Sequence, residues 1–144
     1  MSPPVVERCT LAPGLEISRV LTGLWQVADL ERDGRTMDLR ATAQAMAPYA
    51  AAGFTTFDMA DHYGSAEVVA GIFRAEMAPG TEVQLLTKWV PKPGPVSRDD
   101  VRAAVDRALA RLRGRSIDLM QFHAWTFADP RWLDSLFYLD ELRR

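Results

Sequence analysis

The feature that most constrains the fold of this chain is a regular alternation of strand-like and helix-like segments. Short apolar runs rich in β-branched and aromatic residues begin near residues 20, 54, 83 and 117. Each run is followed by a polar loop and then by apolar residues at helical spacing. This alternation predicts parallel strands joined by helical crossovers. The spacing of about 30 residues indicates that one supersecondary unit, a strand followed by a helix, is repeated four times.

The segments before and after the first parallel strand carry their own turn signals. Residues 9–20 contain two short alternating runs interrupted by Pro13-Gly14, which predicts a β-hairpin ahead of the parallel strands. The next apolar run predicts a first parallel strand that ends at Trp25, and the polar residues 28–36 predict a loop.

Capping residues and prolines predict where the helices begin and bend. A helical pattern that starts at Met37 contains Pro48, which should kink the helix because proline removes one backbone hydrogen bond. Ser97, followed three residues later by Asp100, is typical of a capping box and predicts the start of the third helix. Asp129 stands immediately before a proline and predicts the N-cap of the last helix.

Four βα units amount to half of a TIM-type (βα)8 barrel, a fold that typically needs about 250 residues. We therefore expect an α/β fold in which residues 1–144 form a single partial domain of such a barrel. Within it, residues 9–20 form the hairpin and residues 20–144 form βα units one to four.

The composition predicts the cellular compartment and gives no reason to expect certain classes of partner. The formal net charge of −2 gives no reason to expect a nucleic acid or an anionic membrane as a partner. Cys9 is the only cysteine, so an intrachain disulfide is impossible and a reducing compartment is favoured. No apolar run approaches the roughly 20 residues of a membrane helix, and the first residues lack the order of a signal peptide. These features predict a cytoplasmic protein. The two histidines and the cysteine lack metal-ligand spacing, which predicts no metal site.

Polar side chains stand at the carboxyl ends of three predicted strands. Asp58, Lys88 and His123 each close an apolar run, and Tyr63 follows Asp58 by five residues in the next loop. Since side chains alternate along a strand, each of the three can end the inward face of its strand. The loops at this edge of a parallel sheet lie together, so the sequence predicts one rim that carries a carboxylate, an ammonium, an imidazole and a phenol.

These four groups suit the reduction of a carbonyl. A tyrosine has an unperturbed pKa of about 10, and a buried ammonium beside it favours the phenolate and lowers that pKa. A carboxylate paired with the ammonium keeps it charged and in place. A neutral imidazole can orient a substrate oxygen by a hydrogen bond. No side chain donates a hydride, so a nicotinamide cofactor is required.

At this point the sequence resembles the aldo-keto reductase family. The resemblance rests on Asp58-x-Ala-x-x-Tyr63-Gly, on Leu-Leu-Thr-Lys88-Trp and on Ile-Asp-Leu-Met-Gln-Phe-His123. It implies a (βα)8 barrel with these residues as a catalytic tetrad. Tyr63 is then the proton donor, Lys88 and Asp58 tune it, and His123 orients the carbonyl.

The resemblance also implies a cofactor site and a substrate pocket. The hairpin is similar to the one that closes the bottom of the family's barrel, and Thr-Gly-Leu24-Trp25-Gln resembles a loop whose tryptophan borders both nicotinamide and substrate. Leu24, Trp25 and Asp58 are therefore expected to contact NADPH (or NADP+), and Trp25 and Trp125 to line the pocket for a small carbonyl or alcohol substrate. The family's chain continues through four more strands that hold most cofactor contacts. A half-barrel has two exposed sheet edges, which favours pairing with another chain.

Three functions remain open from the sequence. The first is an NAD(P)H-dependent oxidoreductase that reduces aldehydes or ketones. The second is a non-catalytic truncated or interaction form of the same fold. The third, which fits less well, is a barrel enzyme that uses Lys88 as a Schiff-base nucleophile. Asp61 is expected to be a solvated acid, His62 a loop residue at the rim, and Trp89 an outward residue that packs on a helix.

Overall fold

Two sheets organise the described part of the chain in the computed structural model, which describes residues 5–27, 34 and 36–144. Most of the predicted loop at residues 28–36 lies outside the described residues. The strands are β1 (Arg8–Ala12), β2 (Leu15–Ser18), β3 (Thr22–Gly23), β4 (Thr56–Asp58), β5 (Gln84–Trp89) and β6 (Leu119–Phe122). The helices are α1 (Leu39–Gln44), α2 (Ala47–Ala51), α3 (Ala66–Glu76), α4 (Arg98–Arg111) and α5 (Trp132–Arg143).

The larger sheet has the order β3-β4-β5-β6, and all of its neighbouring strands are parallel. The strands follow one another in chain order, and helices stand in each connection from β3 to β6. This confirms the predicted alternation of parallel strands and helical crossovers. The first strand is shorter than predicted, because residues 25–27 are already helical.

The hairpin of β1 and β2 lies at the amino ends of the parallel strands. The two strands pair antiparallel, and the turn between them contains Gly14 at a φ of 78°. The Ser18 amide donates to Thr56 Oγ1 at 2.8 Å, and Thr56 Oγ1 donates to Gln84 Oε1 at 3.0 Å. Since Thr56 and Gln84 begin β4 and β5, the hairpin is fixed to the end of the sheet opposite to the predicted site.

The segment around Pro48 differs from the prediction. The sequence predicts one kinked helix, whereas the structure has two short helices, α1 and α2, joined at Ala45 and Met46. Pro48 lies in the first turn of α2, where a helix needs no amide hydrogen from it. Gly53 follows at a φ of 96°, a left-handed conformation that favours glycine.

Of the helix caps predicted at Ser97 and Asp129, the first is confirmed and the second is wrong. The capping box is confirmed, since the Asp100 amide donates to Ser97 Oγ at 3.1 Å and the Ser97 amide donates to the Asp100 carboxylate at 2.8 Å. The predicted N-cap at Asp129 is wrong, because α5 begins only at Trp132. Asp129 instead accepts hydrogen bonds from the Arg131 amide and guanidinium. These bonds lower the pKa of Asp129 to about 2.

The core lies between the outward face of the sheet and the helices, as the alternation of side chains predicts. Phe57 and Leu85 are fully buried, and Phe57 packs edge-to-face on Phe73 of α3. Trp89 packs against Val101 of α4, which confirms that it faces outward. Burial of a side chain such as Phe57 or Leu85 stabilises the fold by about 1.5–3 kcal/mol. No helix in the described ranges is long and apolar enough to cross a bilayer.

Candidate active site

Asp58 and Lys88 form the centre of the site at the carboxyl ends of β4 and β5. Lys88 Nζ lies 2.7 Å from Asp58 Oδ1 and 2.6 Å from Asp58 Oδ2. It also donates to the Met59 carbonyl at 2.8 Å. The ammonium has three N–H groups, so each can be directed at one of these oxygens. The two side chains are 27% and 18% exposed, so the pair faces the open rim while remaining mostly covered.

Tyr63 lies beside this ion pair. Its ring centroid is 5.5 Å from Lys88 Nζ. The Tyr63 amide donates to the Ala60 carbonyl, and the Tyr63 carbonyl accepts from the Ala66 amide, so the residue is held in the turn that leads into α3. The ring meets the Trp25 ring edge-to-face at a centroid distance of 4.7 Å. The ammonium, the carboxylate and the phenol predicted from the sequence are therefore neighbours.

His123 reaches the same rim from β6. Its amide donates to the Trp89 carbonyl at 3.0 Å, which continues the β5–β6 pairing beyond the strand. Its ring lies 5.2 Å from Trp125, Trp125 lies 6.0 Å from His62, and His62 lies 4.9 Å from Tyr63. A row of aromatic rings thus connects His123 to the phenol.

The two tryptophans predicted to line the pocket are exposed at this rim. Trp25 is 38% exposed and Trp125 is 67% exposed. Leu24, in contrast, is 7% exposed and belongs to the hydrophobic core. The Leu24 amide donates to the Asp58 carbonyl and its own carbonyl accepts from the Val27 amide. Leu24 therefore supports the position of Trp25, and its side chain is turned away from the rim.

Asp61 is not the solvated acid that the sequence suggested. Its side chain is 17% exposed, Oδ2 accepts from the Val90 amide at 3.2 Å, and Oδ1 lies 3.1 Å from His62 Nδ1. Its own amide donates to the Lys88 carbonyl at 2.9 Å. Asp61 thus ties the Tyr63 loop to the end of β5 and orients the His62 ring. His62 lies in the loop at the rim, as predicted.

A third carboxylate, that of Glu67, was not predicted from the sequence. Glu67, in the first turn of α3, is only 2% exposed and is paired with Arg111 at the end of α4. The one signal in the sequence is that α3 is apolar around most of its circumference, which predicts burial on several faces. Nothing local identifies the partner, because Arg111 is 44 residues away.

Among the described side chains, no three histidine, cysteine, aspartate or glutamate residues converge on a point where a metal could bind. The rim presents the Asp58–Lys88 ion pair, the Tyr63 phenol and two imidazoles. They can place a positive charge beside a proton donor, in a partly desolvated setting where electrostatic interactions are stronger than in water.

Comparison with known proteins identifies the family. The family model described as Aldo/keto reductase family matches residues 19–144. The chain belongs to this family. It is 34% identical over 122 residues to the 6-dehydroglucose reductase of Novosphingobium aromaticivorans, an alignment that covers 76% of this chain and 38% of that enzyme.

Solved aldo-keto reductases share the fold. The Bombyx mori aldo-keto reductase in complex with NADP superposes with a TM-score of 0.72 at 21% identity, over 97% of this chain and 47% of that one. An aldo/keto reductase from Brucella melitensis gives a TM-score of 0.69 at 21% identity, over 96% of this chain and 50% of that one. The predicted (βα)8 barrel class is confirmed, and the chain spans about half the length of these solved structures.

Proposed function

We propose that this chain carries the proton-donating site of an NAD(P)H-dependent oxidoreductase that reduces aldehyde or ketone carbonyls to alcohols. The observation that carries the proposal is the Lys88 ammonium, held by three oxygens and placed 5.5 Å from the Tyr63 ring at the carboxyl edge of the sheet. Membership of the aldo/keto reductase family supports it. Since the chain spans only part of its relatives, the reaction is proposed for the complete barrel.

In this proposal Tyr63 donates a proton to the carbonyl oxygen. The phenolate that remains is stabilised by the positive charge of Lys88. Asp58 holds Lys88 in place through two hydrogen bonds. His123 lies at the same rim, where its ring can donate a hydrogen bond that fixes the direction of the carbonyl. A dihydronicotinamide bound beside these residues would supply the hydride, since no side chain can supply one.

The residues at the rim fit a nicotinamide ring. The exposed Trp25 ring stands edge-on to Tyr63 and offers an apolar wall beside the Asp58–Lys88 pair. A cofactor in this position would lie against Trp25 and near Asp58. The fold shared with the NADP complex of the Bombyx mori protein supports NADPH as the cofactor. The preference for NADPH over NADH and the cytoplasmic location remain predictions.

The Novosphingobium aromaticivorans relative offers a first substrate class to examine. Its name specifies reduction of an oxidised sugar, a carbonyl compound that carries several hydroxyl groups. The rim carries the imidazoles of His62 and His123 and the carboxylate of Asp58. These groups suit a hydroxylated carbonyl compound, because each hydroxyl group needs a hydrogen-bond partner once it is buried. We therefore propose small hydroxylated aldehydes as the substrates to test first.

The ion pair also bears on the Schiff-base alternative. An amine nucleophile needs a free lone pair, whereas Lys88 Nζ donates toward three oxygens, two of which belong to the Asp58 carboxylate. The geometry therefore disfavours this alternative. A non-catalytic interaction form stays a candidate, because β3 and β6 are the terminal strands of the sheet and each has one unpaired side among the described residues.

Two measurements test the proposal in a complete barrel whose first four βα units are this chain. NADPH added to the protein should quench tryptophan fluorescence at micromolar concentration, and Lys88→Met should weaken that binding. With an aldehyde present, Tyr63→Phe should slow NADPH oxidation by roughly 10²–10⁴-fold, the usual contribution of a general acid.

Tyr49→Phe is the matched control, since Tyr49 is 51% exposed and lies on α2, away from the rim. It should behave like the unmodified chain in both measurements. A Tyr63→Phe protein that reduces aldehydes at the unmodified rate would refute the assigned role. No quenching at millimolar NADPH would contradict the proposal and favour the interaction form.

A further inference from the structure

An ionic network around the buried Glu67 lies beneath the Tyr63 loop and has no part in the proposed proton transfer. Glu67 Oε1 accepts a hydrogen bond from Thr87 Oγ1 at 2.6 Å, and Glu67 Oε2 lies 3.0 Å from Arg111 Nη1. Burial of a carboxylate is unfavourable unless it is paired and hydrogen-bonded, and here both oxygens have a partner. Thr87 precedes Lys88 in β5, so the network touches the outward face of the strand whose inward face bears the ammonium.

Arg111 makes a further hydrogen bond in addition to its ion pair with Glu67. The same Nη1 atom donates to the Asp61 carbonyl at 3.1 Å. A guanidinium nitrogen of this kind has two hydrogens, so one atom can serve both acceptors. Asp61 lies two residues before Tyr63 and is held on its other side by the Lys88 carbonyl and the Val90 amide. The loop is thus fastened between β5 and the end of α4.

The crossing of the two helices brings the guanidinium within reach of the loop. A Cβ atom on Gly71 of α3 would lie 2.0 Å from the Arg111 carbonyl oxygen, so the two backbones are in direct contact at that point. Glu67 lies one helical turn before Gly71, on the side of α3 that leads into the Tyr63 loop. The close approach therefore places Arg111 beside the first turn of α3 and the loop that precedes it.

We propose that Arg111 is a positioning residue that fixes the Tyr63 ring in the site by holding the Asp61 carbonyl. The importance of that ring position rests on the proposed function. A bridge that serves stability alone needs only Glu67 and Arg111. The contact with the Asp61 carbonyl has a different consequence, because it restrains the loop that carries the phenol and, through Asp61, the ring of His62.

Fluorine NMR of the chain labelled with 3-fluorotyrosine tests this inference without nucleotide or turnover. The chain has three tyrosines, and Tyr→Phe at positions 49, 63 and 138 assigns the three signals. Arg111→Met retains the apolar stem and removes both hydrogen bonds. It should shift or broaden the Tyr63 signal and leave the Tyr49 and Tyr138 signals unchanged. Arg107→Met is the matched control, an exposed arginine one turn earlier on α4, and should leave all three signals unchanged.

Each outcome decides the inference. An unchanged Tyr63 signal in Arg111→Met, with only a lower thermal midpoint, would show that the bridge serves stability alone and would overturn it. If Arg111→Met does not fold, Arg111→Lys takes its place: it keeps a charge for Glu67, but its nitrogen ends one bond short of the Nη1 position that serves both acceptors. A folded lysine variant with a displaced Tyr63 signal supports the inference, and one with the unmodified signal overturns it. Failure of the proposed function is separate, since it appears as unaffected aldehyde reduction in Tyr63→Phe.

Discussion

Replacement of Gly71 by alanine has two opposite effects on stability, one through helix propensity and one through the packing of α3 on α4. Gly71 lies inside α3, and an alanine at an exposed helix position is favoured over glycine by about 1 kcal/mol. Helix propensity alone therefore predicts that Gly71→Ala stabilises the protein. The contact with α4 predicts the opposite, and the two effects have different sizes.

The structure gives the scale of the packing effect. The new Cβ would lie 2.0 Å from the Arg111 carbonyl oxygen and 2.9 Å from the Leu112 carbonyl carbon, and ordinary contacts begin at 3.4 Å. These are backbone atoms that no rotamer change can remove, so α3 and α4 must separate. Overpacking of this kind costs typically 1–3 kcal/mol and occasionally more. The upper end of that range, about 3 kcal/mol, less the gain of about 1 kcal/mol in propensity, gives an expected net loss of about 2 kcal/mol.

Urea unfolding followed by circular dichroism measures this difference directly, and a thermal melt should show a midpoint lower by roughly 4–8 °C. Ala75→Gly is a control on the exposed side of the same helix and should cost about 1 kcal/mol through propensity alone. Gly23→Ala is a second control, since no atom lies within 4 Å of its new Cβ. A Gly71→Ala protein that is more stable than the unmodified chain would refute the close crossing of the helices.

Two further predictions concern the connections of the later units. Ser97→Ala removes the cap of α4 and should lower the free energy of unfolding by about 1 kcal/mol in a urea titration. Ser116→Ala, which lies outside any helix, is the control and should have a smaller effect. Equal effects of the two substitutions would contradict the capping role. The pKa of Asp129 is lowered to about 2 by its hydrogen bonds with Arg131, so its contribution to stability is complete above the ordinary value of 3.8 and is lost as the pH falls toward 2. The thermal midpoints of the unmodified chain and Asp129→Asn should therefore differ at pH 5 and converge toward pH 2, and a difference that grows on acidification would refute this assignment.

The alternation of side chains along a strand explains why the centre of the site could be predicted. Asp58 and Lys88 each close the inward face of an adjacent parallel strand, and the structure places their charged atoms 2.6 Å apart. The outward direction of Trp89 follows from the same rule. These inferences needed only the order of the strands and the period of two residues.

The parts that could not be predicted depend on choices between equally good local signals or on distant partners. Pro48 suits the first turn of a helix as well as a kink, and the sequence does not tell which applies. Asp129 can cap a helix or bind a nearby arginine, and in the structure it binds Arg131. Glu67 and Arg111 are joined only by the crossing of two helices, so no periodicity reveals them.

The three oxygens around the Lys88 ammonium also determine how the chain responds to chemical modification. The chain has two lysines, Lys88 and Lys92. Acylating reagents must reach the amine, and Lys88 is mostly covered and hydrogen-bonded to three oxygens, whereas Lys92 is exposed in the loop that follows β5. Of the two lysines, amine-directed labelling will therefore modify Lys92 and leave the ion pair intact. A fluorophore or a surface linker can thus be attached four residues from the site without consuming the lysine on which the proposed proton transfer depends.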